Sequence, residues 1–187
     1  RWRYSDGKGG GNMHTDGVER PPKFTPKYFG QVMKNTSRKG GKSWLASVPQ
    51  IYLRLQKFVP KLLEVLHADF CFSLKGDKID GKEFTTKPIF FKSGEKDGFD
   101  TIGAQYLRHY IHQGHELAGK PLTDLQIKAL DAFDRELVHP DNLLVSDYVK
   151  GGIYLYNNYH TIHGRSSFKD YPGDSKRELL RVWTRPF

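Results

Sequence analysis

The sequence predicts a mainly β fold interrupted by two helical segments. Short apolar runs bounded by glycine, proline or asparagine recur along the chain, and such runs are typical of strands. Stretches with apolar residues at helical spacing are longer and occur in two places. Because 187 residues suit one compact domain, we expect a single domain over residues 1–187.

Apolar runs and alternating patterns place the individual strands. A short strand is expected within the glycine-rich first twenty residues, and residues 35–42 are expected to form a basic turn ending in Gly40-Gly41. The last expected strand, residues 180–184, is marked by alternation of apolar and polar residues. The other expected strands cover residues 28–33, 69–75, 88–92 and 152–158.

Prolines and capping residues mark the two helical segments. The first is expected to begin after Ser47, with Pro49 in its first turn, and to be divided by Pro60 because proline breaks a continuing helix. The second is expected to begin after Thr123, whose hydroxyl can cap the first turn, and to run to Leu137.

Composition limits the classes of function. Thirty basic residues against 21 acidic ones give a net charge of +9, which fits an anionic small ligand, a basic solvated surface or nucleic acid. Because the basic residues are dispersed, no nucleic-acid partner is expected. No run of 18 apolar residues occurs, and the single cysteine, Cys71, excludes an internal disulfide. We therefore expect a soluble, cytoplasmic protein without a membrane partner.

Three residues suggest a metal site. In an extended segment, residues i and i+2 point to the same side, so the imidazole and the carboxylate of His14-Thr15-Asp16 can converge on one ion. His163 is the candidate third ligand, because it is expected to follow a strand and open a loop. Two histidines and one carboxylate with open positions form the facial triad of non-heme Fe(II) oxygenases. Taken singly, the first pair also fits a solvated loop and His163 a core or surface histidine.

Two arginines follow the distal histidine. Arg177 and Arg181 lie 14 and 18 residues after His163. A guanidinium is a planar fork that grips a carboxylate through two hydrogen bonds. Two surface arginines, or a helical pair, are the alternative interpretation of this spacing.

The order of these motifs resembles the TauD/TfdA family of Fe(II)/2-oxoglutarate-dependent dioxygenases, including its clavaminate-synthase-like members. The resemblance spans almost the whole chain, and each motif is weak alone whereas the ordered set is specific. The motifs, in chain order, are His14-Thr-Asp16, Gly40-Gly41-Lys-Ser43, Gly152-Ile-Tyr-Leu-Tyr-Asn-Asn158, His163-Gly-Arg165-Ser-Ser-Phe168 and Arg177-Glu-Leu-Leu-Arg181-Val-Trp183.

The resemblance implies a double-stranded β-helix, or jelly roll, with iron at its open end. It implies that His14, Asp16 and His163 are catalytic residues that hold Fe(II). The carboxylate of Asp16 also argues against halogenation, because halogenating relatives carry a small residue at this position.

Three further residues acquire expected cosubstrate roles from the resemblance. Arg177 would bind the distal carboxylate of 2-oxoglutarate, and Ser43 would supply a hydroxyl to the same carboxylate. Arg181 matches a second family arginine that lies near cosubstrate or substrate. Asn158 matches an asparagine before the distal histidine, for which a structural role is expected.

The sequence departs from the family in two places. Only 13 residues precede His14, whereas the family has a sizeable segment there, which would leave the jelly roll incomplete at its N-terminus. Residues 69–122 match no family motif and are expected to form a variable insertion that covers the substrate.

The resemblance implies hydroxylation of a small substrate by O₂ with release of succinate and CO₂, and the basic chain suggests an anionic or amino-acid-like substrate. Desaturation and ring formation remain open, and the sequence gives no indication of oligomeric state. The alternatives are a catalytically inactive jelly-roll binding protein, a zinc hydrolase using the same ligands, and a nucleic-acid-binding domain.

Overall fold

A computed structural model describes residues 7–21, 24–96, 99–173 and 176–184, with side chains described outside residues 95–100. The described strands are β1 (Gly11–His14), β2 (Tyr28–Asn35), β3 (Lys39–Gly40), β4 (Ser43–Ser47), β5 (Asp69–Ser73), β6 (Phe84–Pro88), β7 (Phe90–Lys96), β8 (Phe99–Ala104), β9 (Leu143–Ser146), β10 (Ile153–Asn157), β11 (Thr161–Arg165), β12 (Phe168–Lys169) and β13 (Glu178–Trp183). The described helices are α1 (Val48–Phe58), α2 (Pro60–Leu66), α3 (Arg108–Leu117) and α4 (Asp124–Leu137). The expectation of a mainly β chain with helices is confirmed.

Two antiparallel sheets carry the motif residues. One has four strands in the order β1-β11-β4-β9, and the other has three in the order β10-β2-β13. In the first, His163 of β11 lies opposite His14 on one side and Leu45 on the other. Arg165 lies opposite Ser43 in the same register. The register therefore places Ser43, His163 and Arg165 on one face, since directly paired residues project to the same side of a sheet.

The helices form because their termini are satisfied and their apolar faces are buried. Ser47 caps α1 by accepting a hydrogen bond from the Gln50 backbone N–H, and Thr123 with Gln126 forms a capping box at α4. Each apolar face then packs into one core cluster, with Ile51 and Leu55 of α1 and Phe133 of α4 fully buried. The predicted start of the first helix after Ser47, its division at Pro60 and the predicted cap Thr123 are confirmed.

Several sequence predictions need correction. His163 lies inside β11 rather than in a loop after a strand, because the apolar segment 153–157 turns back at Asn158 and pairs with β2. The expected strand at 88–92 is two strands, with Ile89 between β6 and β7. The turn at 35–42 contains β3, which pairs with β12.

Residues 69–122 contribute to the core rather than lying only on the surface. This segment contains β5 to β8 and α3, and its Phe70, Phe72 and Phe90 are fully buried among residues of α1, α2 and α4. The Thr15 backbone N–H donates to the Tyr106 carbonyl oxygen, and the Tyr106 backbone N–H donates to the Thr15 hydroxyl oxygen, each at 3.0 Å. The segment therefore fixes Thr15, which lies between His14 and Asp16. Cys71 is buried beside these phenylalanines, as expected of a small hydrophobe.

Candidate metal centre

Side chains from two segments far apart in sequence converge beside the β1–β11 pair of the four-stranded sheet. The Nε2 atoms of His14 and His163 lie 3.6 and 3.5 Å from Oδ1 of Asp16. One ligand atom from each residue lies within 4.8 Å of the other two. Two imidazoles and one carboxylate in this arrangement can hold a divalent transition metal on one face and leave the opposite face open.

Local structure positions each of the three groups. His14 ends β1 directly opposite His163 of β11, and a register shift before His14 marks a bulge in β1. Asp16 follows in a turn whose Gly17 adopts φ +70° against Pro26. That left-handed conformation favours glycine and directs the chain away from the sheet after Asp16.

The hydrogen bonds of the two imidazoles differ. His14 Nδ1 lies 2.8 Å from the Asn12 carbonyl oxygen, so Nδ1 carries the proton and the lone pair of Nε2 faces Asp16. Neither ring nitrogen of buried His163 has a hydrogen-bond partner. A buried imidazole without a partner is costly unless it binds something. The donor set and this unsatisfied ring fit a metal ion held by Nε2 atoms and Asp16.

The protonation states also suit a metal. Burial raises the pKa of Asp16, but the adjacent His14 and His163 rings and the positive charge of Arg181 lower it by more, so that the pKa lies well below the usual range. Burial, with a smaller contribution from the neighbouring His14, lowers the pKa of His163 to about 4. At neutral pH the carboxylate is therefore ionised and His163 is neutral, as metal coordination requires.

Both oxygens of the Asp16 carboxylate have further partners on β13. Arg181 donates from Nη1 to Oδ1 at 2.5 Å, and Trp183 donates from Nε1 to Oδ2 at 2.9 Å. The sequence predicted Arg181 near the site but missed Trp183. Because strand residues two apart share a face, the alternation in 178–183 could have placed Trp183 beside Arg181.

A polar pair holds Arg181 from the opposite side. With its amide oxygen toward Arg181, buried Gln31 accepts hydrogen bonds from Nη2 at 2.7 Å and Nε at 3.2 Å. Its amide N–H₂ then donates to the Tyr148 hydroxyl at 3.0 Å. This amide orientation satisfies both neighbours, and it aims the guanidinium at Asp16.

Arg177 lies in a second cationic cluster, with Arg165. Both guanidinium groups stack on Phe168, with carbon-to-centroid distances of 4.5 Å for Arg165 and 5.3 Å for Arg177. Burial and the charge of Arg165 lower the pKa of Arg177, so this region favours an anion. A Cβ at Gly41, which has φ +78°, would lie 3.2 Å from Arg177 Nε, and glycine therefore permits the close approach.

Ser43 shares the strand face of this cluster. It is buried on β4, opposite Arg165 of β11. The hydrogen bonds of the described residues do not join Ser43 to Arg177. The structure therefore brings together His14, Asp16, His163 and Arg181, and it places Arg177 in a separate cluster with Arg165, which the sequence prediction did not assign to the site.

The chain belongs to the family described as taurine catabolism dioxygenase TauD, TfdA family, whose model matches residues 3–183. The resemblance expected from the ordered motifs is thereby confirmed. Among the described residues, the helices are too short or too polar to cross a membrane.

Known relatives are similar over much of the chain. FR-33289 synthase of Streptomyces rubellomurinus is 27% identical over 151 residues, which cover 79% of this chain and 43% of that protein. The asparagine oxygenase structure in complex with Fe(II), 2S,3S-3-hydroxyasparagine and succinate has a TM-score of 0.71 at 14% identity, covering 96% of this chain and 51% of that one. Non-heme iron oxygenase OrfP with Fe and α-ketoglutaric acid has a TM-score of 0.65 at 13% identity, covering 94% and 49%. The chain thus spans about half the length of these relatives.

Proposed function

We propose that this chain carries the Fe(II)- and 2-oxoglutarate-binding site of a dioxygenase, with His14, Asp16 and His163 as the metal ligands. The convergence of unsatisfied His163, the Nε2 of His14 and an ionised Asp16 carries the proposal. Bound Fe(II) would supply the oxidising chemistry, in which O₂ and 2-oxoglutarate are consumed, succinate and CO₂ are released and the substrate is hydroxylated.

The chain's own residues would bind and orient the cosubstrate. The half-buried Arg177 beside Arg165 offers two guanidinium groups to one distal carboxylate, and Ser43 offers a hydroxyl on the neighbouring strand. Arg181, fixed by Gln31 against Asp16, would face the carboxylate end of cosubstrate or substrate nearest the metal. Desolvation strengthens each of these charge pairs.

The proposal also includes a single jelly-roll domain and a small, amino-acid-like substrate. A jelly roll over one domain, residues 1–187, is supported by the antiparallel sheets and by the fold shared with solved oxygenases. Residues 69–122 would cover the substrate. A small amino-acid-like substrate is supported by asparagine oxygenase, solved with a hydroxylated amino acid. A cytoplasmic location remains a prediction.

An anaerobic titration tests the metal and cosubstrate site. Fe(II) and 2-oxoglutarate should together give the weak visible charge-transfer band of the chelate. His14→Ala should abolish the band. His139→Ala should retain it, because His139 follows α4 and its Nδ1 accepts a hydrogen bond from the Asp141 backbone N–H rather than lying among the proposed ligands. A folded wild-type protein without the band, or equal bands in both variants, would reject the proposed ligands.

The same sample distinguishes an active enzyme from the alternative, a catalytically inactive binding protein. A chain that forms the band but releases no succinate in air, with or without candidate amino-acid substrates, would bind the cosubstrate without turning it over. Release of succinate that depends on Fe(II) supports the enzyme.

A further inference from the structure

The indole of Trp183 makes a directional contact with the carboxylate of Asp16, the proposed metal ligand. Nε1–H donates to Oδ2 of Asp16 at 2.9 Å, whereas the histidine Nε2 atoms and Arg181 lie against Oδ1. The two oxygens therefore have different partners. A carboxylate can otherwise rotate and bind a metal through either oxygen or through both.

The position of Trp183 is itself fixed by several contacts. Its backbone pairs with Phe29 of β2, and the guanidinium carbon of Arg20 lies 5.1 Å from the indole centroid. The Arg20 carbonyl oxygen in turn accepts a hydrogen bond from Lys87 Nζ at 2.9 Å. The indole is thus held between a strand and a loop that is anchored to residues 69–122.

The two residues of this contact differ in solvent exposure. Trp183 is 36% exposed, whereas Asp16 is 3% exposed. The indole therefore delivers one N–H into a buried site while most of its packing lies outside the core cluster. Its removal should affect the carboxylate more than the stability of the fold.

We infer that Trp183 is a positioning residue that occupies Oδ2 of Asp16, so that the metal is bound through Oδ1, the oxygen that lies against both histidine Nε2 atoms and also accepts a hydrogen bond from Arg181. This inference rests on the proposed function, because it assigns a role toward the metal held by His14, Asp16 and His163. Partners that orient a ligand set its affinity, and their loss typically weakens metal binding about 10- to 100-fold.

Binding of Co(II), which does not need O₂ chemistry, tests the inference. Trp183→Phe keeps a ring but removes the N–H, and we expect its Kd for Co(II) to rise at least about 10-fold. The Co(II) visible bands should also change, because a carboxylate that rotates toward bidentate binding changes the coordination number. Trp44→Phe is the matched control, since Trp44 lies on β4 beside Leu45 and alternation directs it to the face opposite His163.

The outcomes distinguish the inference from the proposed function. Equal Co(II) affinity and equal spectra in Trp183→Phe and the wild type would overturn the role of Trp183 and leave the proposed function intact. A wild-type chain that does not bind Co(II) would overturn both. A changed affinity in Trp183→Phe alone, with an unchanged melting temperature of the metal-free protein, supports the positioning role.

A measurement on the wild-type chain covers the case in which Trp183→Phe does not fold. The chain has three tryptophans, and ¹⁵N-labelled indoles give one N–H signal each. The variants Trp2→Phe and Trp44→Phe identify the signals of those two residues, so the third signal is that of Trp183. Addition of Zn(II) to the wild-type chain should shift the Trp183 signal. An unshifted Trp183 signal under saturating Zn(II) would overturn the inference.

Discussion

Asn158 holds the backbone of Asp16 from both sides of the residue. Its side-chain oxygen accepts a hydrogen bond from the Asp16 N–H at 2.8 Å, and its N–H₂ group donates to the Asp16 carbonyl oxygen at 2.9 Å. The same N–H₂ group donates to the Pro26 carbonyl oxygen at 2.8 Å. Asn158 is fully buried, so the amide clamps the turn that begins at Asp16, a proposed metal ligand, to the β10–β11 connection. These hydrogen bonds to the backbones of Asp16 and Pro26 are the structural role that the sequence predicted for Asn158.

Asn158→Ala should destabilise the protein and weaken its metal site together. The substitution leaves buried backbone groups of Asp16 and Pro26 unpaired, and each such group costs about 1–3 kcal/mol. We expect a loss of about 3 kcal/mol in the free energy of unfolding by urea, with weaker Co(II) binding by the folded protein. Asn35→Ala, at the end of β2, is the control and should change stability by less than about 0.5 kcal/mol. Similar losses in both variants would contradict the clamp.

Arg177→Leu should weaken cosubstrate binding without weakening the metal site. Arg177 has no hydrogen bond to any proposed metal ligand, whereas a charged hydrogen bond to a carboxylate contributes about 2 kcal/mol. The Kd for 2-oxoglutarate should therefore rise about 30-fold in an anaerobic titration, with the Kd for Co(II) unchanged.

Arg38→Leu is the control for this prediction, because it removes an exposed arginine near β3. Its Kd for 2-oxoglutarate should match the wild type. An equal loss in both variants would mean that overall charge, rather than the Arg177 guanidinium, attracts the cosubstrate.

Lys87 should make stability depend on pH. Burial lowers its pKa to about 7, and Nζ donates to the carbonyl oxygens of Val18 at 2.6 Å and Arg20 at 2.9 Å. The unfolded chain, with an ordinary pKa of about 10.4, binds more protons than the folded chain between these values. This residue's contribution to stability therefore rises with pH from about 7 to about 10, by at most about 1.4 kcal/mol per pH unit.

Lys87→Met should remove that rise. Urea unfolding at pH 6.5, 8 and 9.5 would show the wild type gaining stability relative to Lys87→Met as pH increases. Lys82→Met, which changes an exposed lysine, should keep the wild-type pH dependence. A constant difference between the wild type and Lys87→Met at all three pH values would exclude a depressed pKa at Lys87.

The sequence predicted the parts of the site that depend on local spacing. His14 and Asp16 are two residues apart, and their convergence needs only one turn. His163 was also identified, but its place inside β11 was not, because the expectation treated the segment before it as the strand. The strand pairing of β11 with β1 and β4 depends on contacts between distant segments, which no local pattern contains.

Contacts between side chains on strands that are distant in sequence could not be predicted from local sequence patterns. Arg181 was expected near the site, but its hydrogen bonds to Asp16 and Gln31 follow from the pairing of β13 with β2. Arg165 lies in the motif at residues 163–168, and its stacking on Phe168 beside Arg177 depends on the pairing of β12 with β3. Residues 69–122, which match no motif, turn out to supply core residues that local patterns could not assign to a partner.

Gly114→Ala should separate α3 from β5. A Cβ at Gly114 would lie 2.4 Å from the Cys71 carbonyl oxygen and 2.6 Å from the carbonyl carbon of Phe72, so rigid backbone would have to move. Alanine favours a helix by about 1 kcal/mol, but overpacking against backbone costs more, and we expect a net loss of about 2 kcal/mol in the free energy of unfolding. Gly9→Ala, where a Cβ would meet no atom within 4 Å, should stay within about 0.5 kcal/mol of the wild type. Equal stability of the two variants would show that α3 can move away from β5 without loss, and that the contact does not fix the position of residues 69–122.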